Sequence, residues 1–587
     1  MKASSYIISF LQKQGSDKIF SLSGGMITHL EDSVFLNTEM KLVSMKHEQA
    51  GAFAAEGFSR VSEHSGVAMG TSGPGATNMI TGIASAFFDS IPVLYITGQV
   101  NISEITPEHS GVRQTGFQET KIIPIVTPIT KYATQIQDIK HLRYELEKAY
   151  FIMNHGRKGP VLLDIPMDIQ RMEVDPDELE SYFNSSEYIA TLPKTSNQTD
   201  LIKIRELLQN AKRPLVLIGG GIRLANATTV LEKFLNISHI PVVASLMGID
   251  SIDHSYGGYI GMIGSYGIRR ANIAVTHADI LLVLGSRLDI RQTGAKRIDF
   301  ARNATIIHID IDESELGHNV GNTTIRIQKD VNQFLTEIID TDLEFPRYEP
   351  WHTELSELSK LLPVFNSKIN SEGFLNPNYI CSRFNELATS STVFVNDVGQ
   401  NQMWSSQSIS ITKGQRLLNC GGLGSMGFSL PTSIGASFVP GVDRVISING
   451  DGGFQMNMQE LETIAHHNLP IGIIVMNNES LGMVREFQDT YFEGRTVGTV
   501  LGYSCPNLEK IANAYSIPFF LIHDLQTLDS VLVEVAKLIG PYLIDIRISP
   551  KSLVEPKILF GNSIDNQSPI LSDITKDQIS LIFQNHV

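Results

Sequence analysis

The chain has 587 residues, of which 42% are hydrophobic, and this length is sufficient for roughly three or four domain cores. Its formal net charge of −16, without any basic run, argues against nucleic acid and anionic membrane surfaces as partners. The three cysteines, Cys381, Cys420 and Cys505, are too few and too scattered for a disulfide framework or a zinc site, which favours a reducing cytoplasm.

The first 20 residues predict an amphipathic helix, because they lack the extended apolar core and cleavage site of a leader. No run of about 18 apolar residues follows, so no membrane span is expected. Short apolar runs, each followed by Gly, Asp or Asn and then a helical pattern, recur along the chain. They are GVAMG (66–70), IPVLYITGQ (91–99), GPVLLDIP (159–166), PLVLIGGG (214–221), ADILLVLGSR (278–287), ATIIHIDID (304–312) and TVFVNDVG (392–399). Buried parallel strands have this pattern, which predicts an α/β fold with helices covering parallel sheets.

Two polar segments, residues 173–200 and 344–357, interrupt this rhythm and are interpreted as linkers. We therefore expect three units, residues 1–172, 190–340 and 365–550, followed by a C-terminal tail, residues 551–587. The first and third units end in similar strands, GPVLLDIP (159–166) and GPYLIDIR (540–547). This similarity favours one fold used twice, although a chance match between short apolar strands would look the same.

The first unit contains two candidate functional segments. Glu48 begins a helix, MKHEQAGAFAAEGFSR (45–60), whose Ala and Gly positions allow tight packing. Taken alone, Glu48 is best interpreted as a glutamate at a helix N-terminus that is stabilised by the helix dipole. The segment TSGPGATN (71–78) follows a strand and opens a helix, so its loop can approach a cofactor or a substrate carboxylate, or serve as a structural turn.

The middle unit is rich in glycine at its strand ends. The segments are Gly219-Gly220-Gly221, SLMG (245–248), GMIGSYG (261–267), GSRLDIRQTG (285–294) and HIDID (308–312). Glycines that free backbone N–H groups, followed by acids at a later strand end that can bind ribose hydroxyls, are typical of an adenine dinucleotide site.

The third unit opens with NDVGQNQMW (396–404) and GGLGSMGFSLP (421–431). The second segment formally matches the dinucleotide fingerprint through Gly422, Gly424 and Gly427. We reject that interpretation, because no apolar strand is expected before it and no suitable acid follows about 20 positions later. Met426, between these glycines, is interpreted as a wedge beneath a bent cofactor, or alternatively as a core filler.

Two strand ends in the third unit predict a diphosphate anchor. Gly450-Asp451-Gly452 closes the strand RVISIN (444–449), and Asn478 follows the strand LPIGIIVM (469–476). The Asp451 carboxylate, the Asn478 amide and the Ser480 backbone carbonyl are oxygen ligands suited to Mg²⁺. The glycines allow backbone N–H groups to approach a diphosphate, and MNMQELETIAHH (456–467) predicts a helix whose N-terminus favours anions. Two ordinary strand-to-helix turns are the alternative.

Taken together, HEQ (47–49), TSGPGATN, FQE (117–119), DVGQ-x-QMW, GGLG-x-MGF, GDG and NN resemble the thiamin diphosphate (ThDP) enzymes. Within these enzymes the chain resembles the acetohydroxyacid (acetolactate) synthase family over about residues 1–550. The resemblance implies three doubly wound parallel-sheet domains: a pyrimidine-binding domain (1–172), an FAD-binding-like domain (190–340) and a diphosphate- and Mg²⁺-binding domain (365–550). The cofactors implied are ThDP, Mg²⁺ and FAD.

The resemblance assigns roles to individual residues. Glu48 is the implied catalytic glutamate that hydrogen-bonds the aminopyrimidine, Gln118 the active-site glutamine, and Met426 the methionine that bends the cofactor. The implied metal ligands are Asp451 and Asn478, and the Ser480 backbone carbonyl remains the candidate third ligand. The remaining implied ThDP-site residues are Gly25, Pro74, Asn78, Val398, Gly399, Gln400, Gly424, Gly450, Gly452, Gly453, Leu481, Gly482 and Met483. The implied FAD-site residues are Gly219, Gly220, Gly221, Leu246, Met247, Gly264, Gly285, Arg287, Arg291 and Asp310.

The resemblance also carries expectations about assembly. In this family one subunit binds the aminopyrimidine half of ThDP and another binds the diphosphate half, which implies at least a homodimer, with a homotetramer and a small regulatory subunit as further possibilities. The flavin of these synthases takes no part in net redox chemistry. A middle domain without flavin is the alternative.

The chain departs from the family pattern where the acceptor substrate is chosen. LGMVREFQDTYFEGR (481–495) has Phe487 where the family segment, VRQWQ, has tryptophan. Ser23 replaces a proline, Met26 a small residue facing the substrate, and Ile290 an aspartate. Residues 111–133 and 554–569 resemble synthase relatives of surface-polysaccharide pathways that use a nucleotide-sugar keto group as acceptor. Arg113 would meet an anionic acceptor there, or be a solvated loop residue.

We therefore expect a ThDP-dependent carboligase that decarboxylates pyruvate and transfers the acetyl unit to a second 2-oxo acid, as in branched-chain amino acid biosynthesis. Lys131 is a candidate contact for a substrate carboxylate. The alternatives are a carboligase with a nucleotide-sugar acceptor, a decarboxylase or oxidase of the same fold, and a non-catalytic assembly protein. The last is disfavoured because Glu48, Asp451 and Asn478 are all present.

Overall fold

The computed structural model describes residues 1–107, 109–191, 201–341 and 345–584. Within these ranges it contains three six-stranded parallel sheets and one two-stranded antiparallel ribbon. The sheets comprise residues 18–166, 214–328 and 392–547, so each falls within one of the three expected units. In the same ranges no helix combines the length and apolar character that crossing a bilayer requires. The expected α/β fold with three helix-covered parallel sheets is confirmed.

The first sheet has the strand order β2-β1-β3-β4-β6-β5, with all neighbours parallel. Its strands are β1 (Lys18–Ser21), β2 (Lys41–Ser44), β3 (Gly66–Gly70), β4 (Val93–Gln99), β5 (Tyr132–Gln135) and β6 (Val161–Pro166). Its helices are α1 (Ala3–Lys13), α2 (Thr28–Leu36), α3 (Glu48–Val61), α4 (Pro74–Asn78), α5 (Ile80–Phe88), α6 (Ile122–Val126), α7 (Leu142–Asn154), α8 (Met167–Arg171) and α9 (Ser186–Thr191). The predicted amphipathic first helix is α1, which buries Ile7, Ile8 and Leu11.

The third sheet repeats this topology in the order β14-β13-β15-β16-β18-β17. Its strands are β13 (Thr392–Asn396), β14 (Arg416–Leu418), β15 (Arg444–Gly450), β16 (Ile471–Asn477), β17 (Phe519–Ile522) and β18 (Tyr542–Arg547). The helices that follow in the chain are α18 (Pro377–Arg383), α19 (Gln400–Ser408), α20 (Ser429–Ser437), α21 (Asp451–Met456), α22 (Leu461–His466), α23 (Gly482–Tyr491), α24 (Leu508–Ala514) and α25 (Leu525–Val535). Because β6 and β18 take the same place in sheets of the same order, the prediction of one fold used twice is confirmed.

The central sheet has the order β12-β11-β10-β7-β8-β9, the doubly wound arrangement common in dinucleotide-binding domains. Its strands are β7 (Pro214–Ile218), β8 (Val242–Ala244), β9 (Tyr259–Met262), β10 (Ile280–Leu284), β11 (Thr305–Asp310) and β12 (Thr323–Gln328). Its helices are α10 (Leu201–Asn210), α11 (Gly221–Leu224), α12 (Thr228–Ser238), α13 (Arg269–His277), α14 (Ile290–Thr293), α15 (Glu313–Leu316), α16 (Val331–Ile339) and α17 (Glu349–Leu361). The strand order reverses between β7 and β10, and ligands of such sheets bind at that point.

Two local predictions are wrong. The segment 344–357, expected to be a linker, contains most of helix α17, whose Trp351 is fully buried and donates from Nε1 to the Pro214 carbonyl at 2.9 Å. The helix predicted over 456–467 is interrupted, because Asn457 leaves the helical conformation and its Nδ2 donates to the Gly427 carbonyl at 2.7 Å. The helix next to the GDG segment is instead α21, which begins at Asp451. Of the other predicted linker, residues 192–200 lie outside the described residues.

The first and third domains meet through α3 and α20. A Cβ on Gly57 would lie 2.2 Å from the Thr432 carbonyl oxygen, and one on Gly435 would lie 1.8 Å from the Ala54 carbonyl oxygen. Glycine at these positions therefore lets the two helix backbones touch. This contact confirms the expectation that α3 is built for tight packing, although its partner was not foreseen.

The C-terminal tail is folded against the rest of the chain. It contains the ribbon strands β19 (Lys557–Ile558) and β20 (Gln567–Ser568) and the helix α26 (Asp573–Gln584). The ribbon hydrogen-bonds the central domain, with Ile558 N donating to the Ser265 carbonyl at 2.8 Å. At the end of α26 the ring of Phe583 stacks on His277 at 3.7 Å. The tail thus spans one side of the central domain.

Candidate active site

The predicted metal ligands lie together at the carboxyl edge of the third sheet. Asp451 follows β15 and Asn478 follows β16, and these neighbouring strands pair in parallel up to Gly450, which lies opposite Met476. Asp451 is almost fully buried, and its Oδ2 accepts a hydrogen bond from the Tyr503 hydroxyl at 2.7 Å. Burial raises the pKa of Asp451 to about 6, and the Tyr503 hydrogen bond opposes this rise. A buried carboxylate of this kind is suited to a cation.

The turn after β16 supplies neutral oxygen atoms beside Asp451. Asn478 Oδ1 accepts from Ser480 N at 3.2 Å, and the Ser480 carbonyl accepts from Gly482 N at 2.9 Å. Each of these oxygens keeps a lone pair for a further partner. The Ser480 hydroxyl is buried and has no hydrogen-bond partner within the described ranges. An unpartnered hydroxyl, a buried carboxylate and two carbonyl oxygens that each keep a lone pair fit a magnesium–diphosphate group.

Gly452 brings the side chains around the anchor together. A Cβ at Gly452 would lie 2.3 Å from Leu481 Cδ2, 3.4 Å from Met426 Cε and 3.4 Å from the Tyr503 hydroxyl. The end of the Met426 side chain therefore lies next to the GDG turn while the residue stays half-buried. This placement agrees with the interpretation of Met426 as a wedge, which stays a prediction.

Asp397, which follows β13, organises the loop that carries Met426. Its fully buried carboxylate accepts hydrogen bonds from Val398 N at 2.8 Å, Phe428 N at 3.1 Å and Gly427 N at 3.2 Å. Burial raises the pKa of Asp397 to about 7, and these backbone donors oppose the rise. Asp397 lies in the segment NDVGQ, but the sequence pattern alone did not indicate this role.

One prediction about the Gly422-x-Gly424-x-x-Gly427 segment is wrong, namely that no strand precedes it. A short strand, β14, does lead into this loop, and its three residues were too few to recognise in the sequence. The loop N–H groups are nevertheless used within the protein, because Gly421 N and Gly422 N both donate to the Asp89 carboxylate, at 3.1 and 2.7 Å. The loop therefore connects the first and third domains.

Gly453 offers a test of the packing beneath the anchor. A Cβ at Gly453 would lie 1.9 Å from Asp397 Oδ2, so we expect Gly453→Ala to destabilise the protein by about 1–3 kcal/mol. A lower urea midpoint measures this effect. The matched control is Gly257→Ala, since a Cβ at exposed Gly257 meets no atom within 4 Å. Equal midpoints for the two variants would contradict the close contact with Asp397.

The predicted residues of the first domain also converge. Glu48 begins α3 and is largely buried, and its Oε2 accepts a hydrogen bond from Asn78 Nδ2 at 2.9 Å. A Cβ on Gly73 would lie 3.1 Å from Gln118 Cβ, which places Gln118 against the loop that contains Pro74. The loop of Gly25 joins them, because Met26 N donates to Thr71 Oγ1 at 3.2 Å.

The turn carrying Gln118 is held by its neighbour Glu119. Gln118 has a φ of 64°, an uncommon conformation for a residue with a side chain. Glu119 accepts hydrogen bonds from Thr106 N, Thr106 Oγ1 and Thr115 N, at 2.8, 2.6 and 3.0 Å. Although burial acts to raise the pKa of Glu119, these donors hold it below its usual value. The strained turn is thus fixed by a carboxylate inside the protein.

Within one chain, the hydrogen bonds of the two predicted half-sites are separate. Across the described ranges, no hydrogen bond joins Glu48 to Asp451, Asn478 or their partners. The Glu48 carboxylate has its hydrogen bond with Asn78 in the first domain.

A cavity of about 850 Å³ lies at the carboxyl edge of the central sheet and also contacts the first and third domains. The predicted FAD-site residues that line it are Gly220, Gly221, Leu246, Met247, Gly285, Arg287, Arg291 and Asp310. Asp310 ends β11, and burial raises its pKa to about 6. A long cavity with glycines, arginines and a buried acid at the switch point fits an adenine dinucleotide.

Gly219 and Gly264 are not among the described residues that line this cavity. A Cβ on Gly219 would lie 2.1 Å from the Gly285 carbonyl oxygen, and one on Gly264 would lie 2.7 Å from the Arg291 carbonyl oxygen. Both glycines therefore allow two chain segments to approach each other at the cavity wall. Their direct contact with a cofactor stays a prediction.

Two basic residues proposed as substrate contacts differ in their surroundings. Lys131 Nζ donates to the carbonyls of Ile152 and His155 at the end of α7. Burial, with a smaller contribution from the charge of Arg157, lowers the pKa of Lys131 to about 8. The Lys131 ammonium group therefore caps a helix, and the expectation that it contacts a substrate carboxylate stays a prediction. Arg113 is exposed, and both of its interpretations stay open.

Three functional residues were not identified from the sequence. Tyr503, Asp397 and Glu486 each bind a predicted site residue or its loop. Tyr503 lies 52 residues beyond Asp451 in a loop without a recognisable motif, so no local signal pointed to it. The acid in NDVGQ, directly after a predicted strand, was a signal for Asp397.

Comparison with known proteins agrees with this arrangement. Three family models match: the thiamine pyrophosphate enzyme N-terminal TPP binding domain at residues 1–125, the central domain at 201–338, and the C-terminal TPP binding domain at 397–546. Acetolactate synthase 2, chloroplastic, of Nicotiana tabacum is 34% identical over 576 residues, which cover 96% of this chain and 84% of that protein. The acetolactate synthase large subunit of Pyropia yezoensis is 35% identical over 571 residues, covering 95% and 93%. The chain therefore belongs to the acetolactate synthase family of thiamine pyrophosphate enzymes.

Proposed function

We propose that the protein is a ThDP-dependent carboligase of the acetolactate synthase type. It decarboxylates one pyruvate and transfers the acetyl unit to a second 2-oxo acid, so that two pyruvates yield 2-acetolactate and CO₂. The observation that carries this proposal is the buried cluster of Asp451, Asn478 and Ser480, with Met426 beside Gly452. Pathways of branched-chain amino acid synthesis use this reaction.

The residues of the third domain would hold Mg²⁺ and the diphosphate of ThDP. The Asp451 carboxylate would supply the negative charge next to the cation, and the Asn478 and Ser480 oxygens would be neutral ligands. Bound ThDP supplies an acidic ring carbon and an electron sink for decarboxylation. Leu481 and Met426 flank the GDG turn. Among the implied ThDP-site residues, Gln400 supports Asn478 by accepting from its Nδ2 at 3.0 Å.

Glu48 would serve the pyrimidine ring from the first domain. Its carboxyl group is oriented by Asn78 Nδ2 and can share a proton with a ring nitrogen. As the family resemblance implies, we infer that the two half-sites combine from two copies in a homodimer. Among the described residues of one chain, no hydrogen bond joins Glu48 to Asp451, which is compatible with this inference. Assembly into a homotetramer and a small regulatory subunit stay predictions.

FAD would occupy the cavity of the central domain. The glycine turn at Gly220 and Gly221 suits the pyrophosphate, and Asp310 suits a ribose hydroxyl. Arg287 and Arg291 would lie near the flavin. The acetyl transfer conserves the oxidation state of its two substrates overall, so this FAD has a binding and structural role.

A nucleotide-sugar keto group is the second candidate acceptor. Phe487 is 55% exposed, and its ring lies 4.6 Å from Tyr491 and 5.9 Å from Phe492. This aromatic surface follows Met483 on α23 and would suit a ring-shaped acceptor better than a second small 2-oxo acid.

Product analysis tests the proposed function. Purified protein with ThDP, Mg²⁺, FAD and labelled pyruvate is expected to form CO₂ and 2-acetolactate in equal amounts. Acetaldehyde or acetyl phosphate as the main product would show a decarboxylase or oxidase instead. Product formed only when a keto sugar nucleotide is added would select the second candidate. No release of CO₂ under any of these conditions would overturn the proposal.

A further inference from the structure

A buried chain of polar groups runs from the C-terminal tail to Asn478. Lys557 Nζ lies 2.5 Å from Glu486 Oε1. Gln400 Nε2 donates to Glu486 Oε2 at 3.0 Å, and Asn478 Nδ2 donates to Gln400 Oε1 at 3.0 Å. The three central residues are each no more than 5% exposed. Solvent therefore does not compete for these hydrogen bonds, and each group must find its partner within the protein.

The chemistry of this chain determines which way both amides point. A carboxylate and a backbone carbonyl only accept hydrogen bonds, and the Gln400 amide faces Glu486 Oε2 and the Ser552 carbonyl, at 3.0 and 2.9 Å. Gln400 must present its NH₂ group to both, so its Oε1 faces Asn478. Asn478 then presents its own NH₂ group to Gln400, and its Oδ1 is directed away from Gln400.

Asn478 Oδ1, which is directed away from Gln400, is the atom that a cation would need as a ligand. Asn478 Oδ1 accepts one hydrogen bond from Ser480 N and keeps a second lone pair. In the opposite orientation of the Asn478 amide, its NH₂ group would face the cation and repel it. Amide orientation is thus a requirement for metal binding at this position, in addition to the presence of Asn478.

We propose that Lys557 and Glu486 are positioning residues that orient the Asn478 amide for Mg²⁺. Glu486 fixes the direction of the hydrogen bonds because it only accepts, and Lys557 compensates its buried charge. This inference rests on the proposed function, since it concerns the Mg²⁺–ThDP site. Tight Mg²⁺ binding would then require the C-terminal tail to be in its folded position.

The surroundings keep the chain of groups in place. A Cβ on Gly482 would lie 2.0 Å from Gln400 Oε1, so only glycine lets Gln400 reach across the start of α23. The tail is held over the same helix, with Val554 N donating to Glu486 Oε2 at 3.2 Å and Arg485 Nη2 donating to the Ser552 carbonyl at 2.6 Å. These contacts bring Lys557 to Glu486 across 71 positions of sequence.

Two substitutions in the full-length protein test the proposal. Lys557→Met retains the alkyl stem without the charge, and Glu486→Gln retains the shape but can donate as well as accept. We expect each to raise the Mg²⁺ concentration for half-maximal ThDP binding, measured by calorimetry, by about 10-fold or more. Lys557→Arg retains the charge and is expected to stay within about twofold of the unchanged protein.

The control is Lys551→Met, which removes another tail lysine, paired with Glu372 at 3.3 Å and 81% exposed. It should leave the half-saturating Mg²⁺ concentration unchanged. A role limited to anchoring the tail would lower the melting temperature of the cofactor-free protein without changing Mg²⁺ dependence, and that result would overturn the proposal. If Lys557→Met does not fold, the Mg²⁺ dependence of ThDP binding to Glu486→Gln decides between the two outcomes. Absence of Mg²⁺-dependent ThDP binding in the unchanged protein would instead refute the proposed function.

Discussion

Asp451→Ala is expected to abolish the binding of Mg²⁺ and of ThDP together. Asp451 is the carboxylate of the predicted anchor, it is 1% exposed, and its partners Asn478 and Ser480 offer neutral oxygens. In the proposed site ThDP would be held through its diphosphate and the cation, so loss of the only charged ligand in this trio would remove the attachment of both. Calorimetric titration with ThDP in the presence of Mg²⁺ measures the effect, and acetolactate formation should fall to background.

Asp443→Ala is the matched control for this experiment. Asp443 directly precedes β15, whereas Asp451 directly follows it, so the two variants change the same strand at opposite ends. Asp443 is exposed and accepts from the Thr389 hydroxyl at 2.7 Å. We expect Asp443→Ala to leave ThDP binding unchanged. Retention of normal ThDP affinity in Asp451→Ala would remove Asp451 from the anchor and with it the central support for the proposed function.

Glu48→Ala is expected to abolish turnover while ThDP and Mg²⁺ still bind. Glu48 belongs to the first domain and has no hydrogen bond to the anchor, so its loss leaves the diphosphate attachment intact. A positioned acid–base group contributes about 10²–10⁴-fold to rate, and we expect kcat to fall by that factor. Initial rates of CO₂ release, together with calorimetric ThDP titration, separate the loss of rate from the loss of binding.

Two further variants sharpen this result. Glu48→Gln can still accept a hydrogen bond from Asn78 but cannot share a carboxyl proton, so we expect it to be as inactive as Glu48→Ala. Glu39→Gln, at an exposed position of the same domain, should retain full activity. Normal turnover in Glu48→Gln would show that Glu48 only supports Asn78, and its assignment as the catalytic glutamate would be abandoned.

The same variants examine the two-subunit site. A mixture of Glu48→Ala and Asp451→Ala chains, each inactive alone, can form a mixed dimer in which one complete pair of half-sites survives. Restored activity after mixing and refolding is expected if the half-sites come from different copies. The hydrogen bonds within one chain agree with this expectation, since they leave Glu48 with Asn78 and Asp451 with Tyr503.

Much of the local structure and of the anchor could be predicted from the sequence. Runs such as PLVLIGGG and RVISIN have the apolar character of buried parallel strands, and β7 and β15 lie where those runs predicted. Side chains that follow such strands share one edge of the sheet, which is why Asp451 and Asn478 were placed together correctly. These predictions depend on short-range periodicity, which can be read directly from the order of the residues.

Other features depended on contacts that no local pattern encodes. The break at Asn457 follows from its hydrogen bond to Gly427, 30 positions away. Lys131 was a candidate substrate contact because of its charge, and only the structure shows that its ammonium group donates hydrogen bonds to the carbonyls at the end of α7. Helix α17 was mistaken for a linker because its apolar stripe is short, although Trp351 is buried against the central sheet.

The sequence by itself determined the α/β class, the three sheets, the strand ends that carry Asp451 and Asn478, and the family resemblance. Only the tertiary structure decided which distant groups serve those strand ends. The Tyr503 hydroxyl on Asp451 and the path from Lys557 through Glu486 to Gln400 are examples. The physical reason is that a strand and its end follow from neighbours in sequence, whereas the partners of a buried polar group are chosen by how separate elements pack.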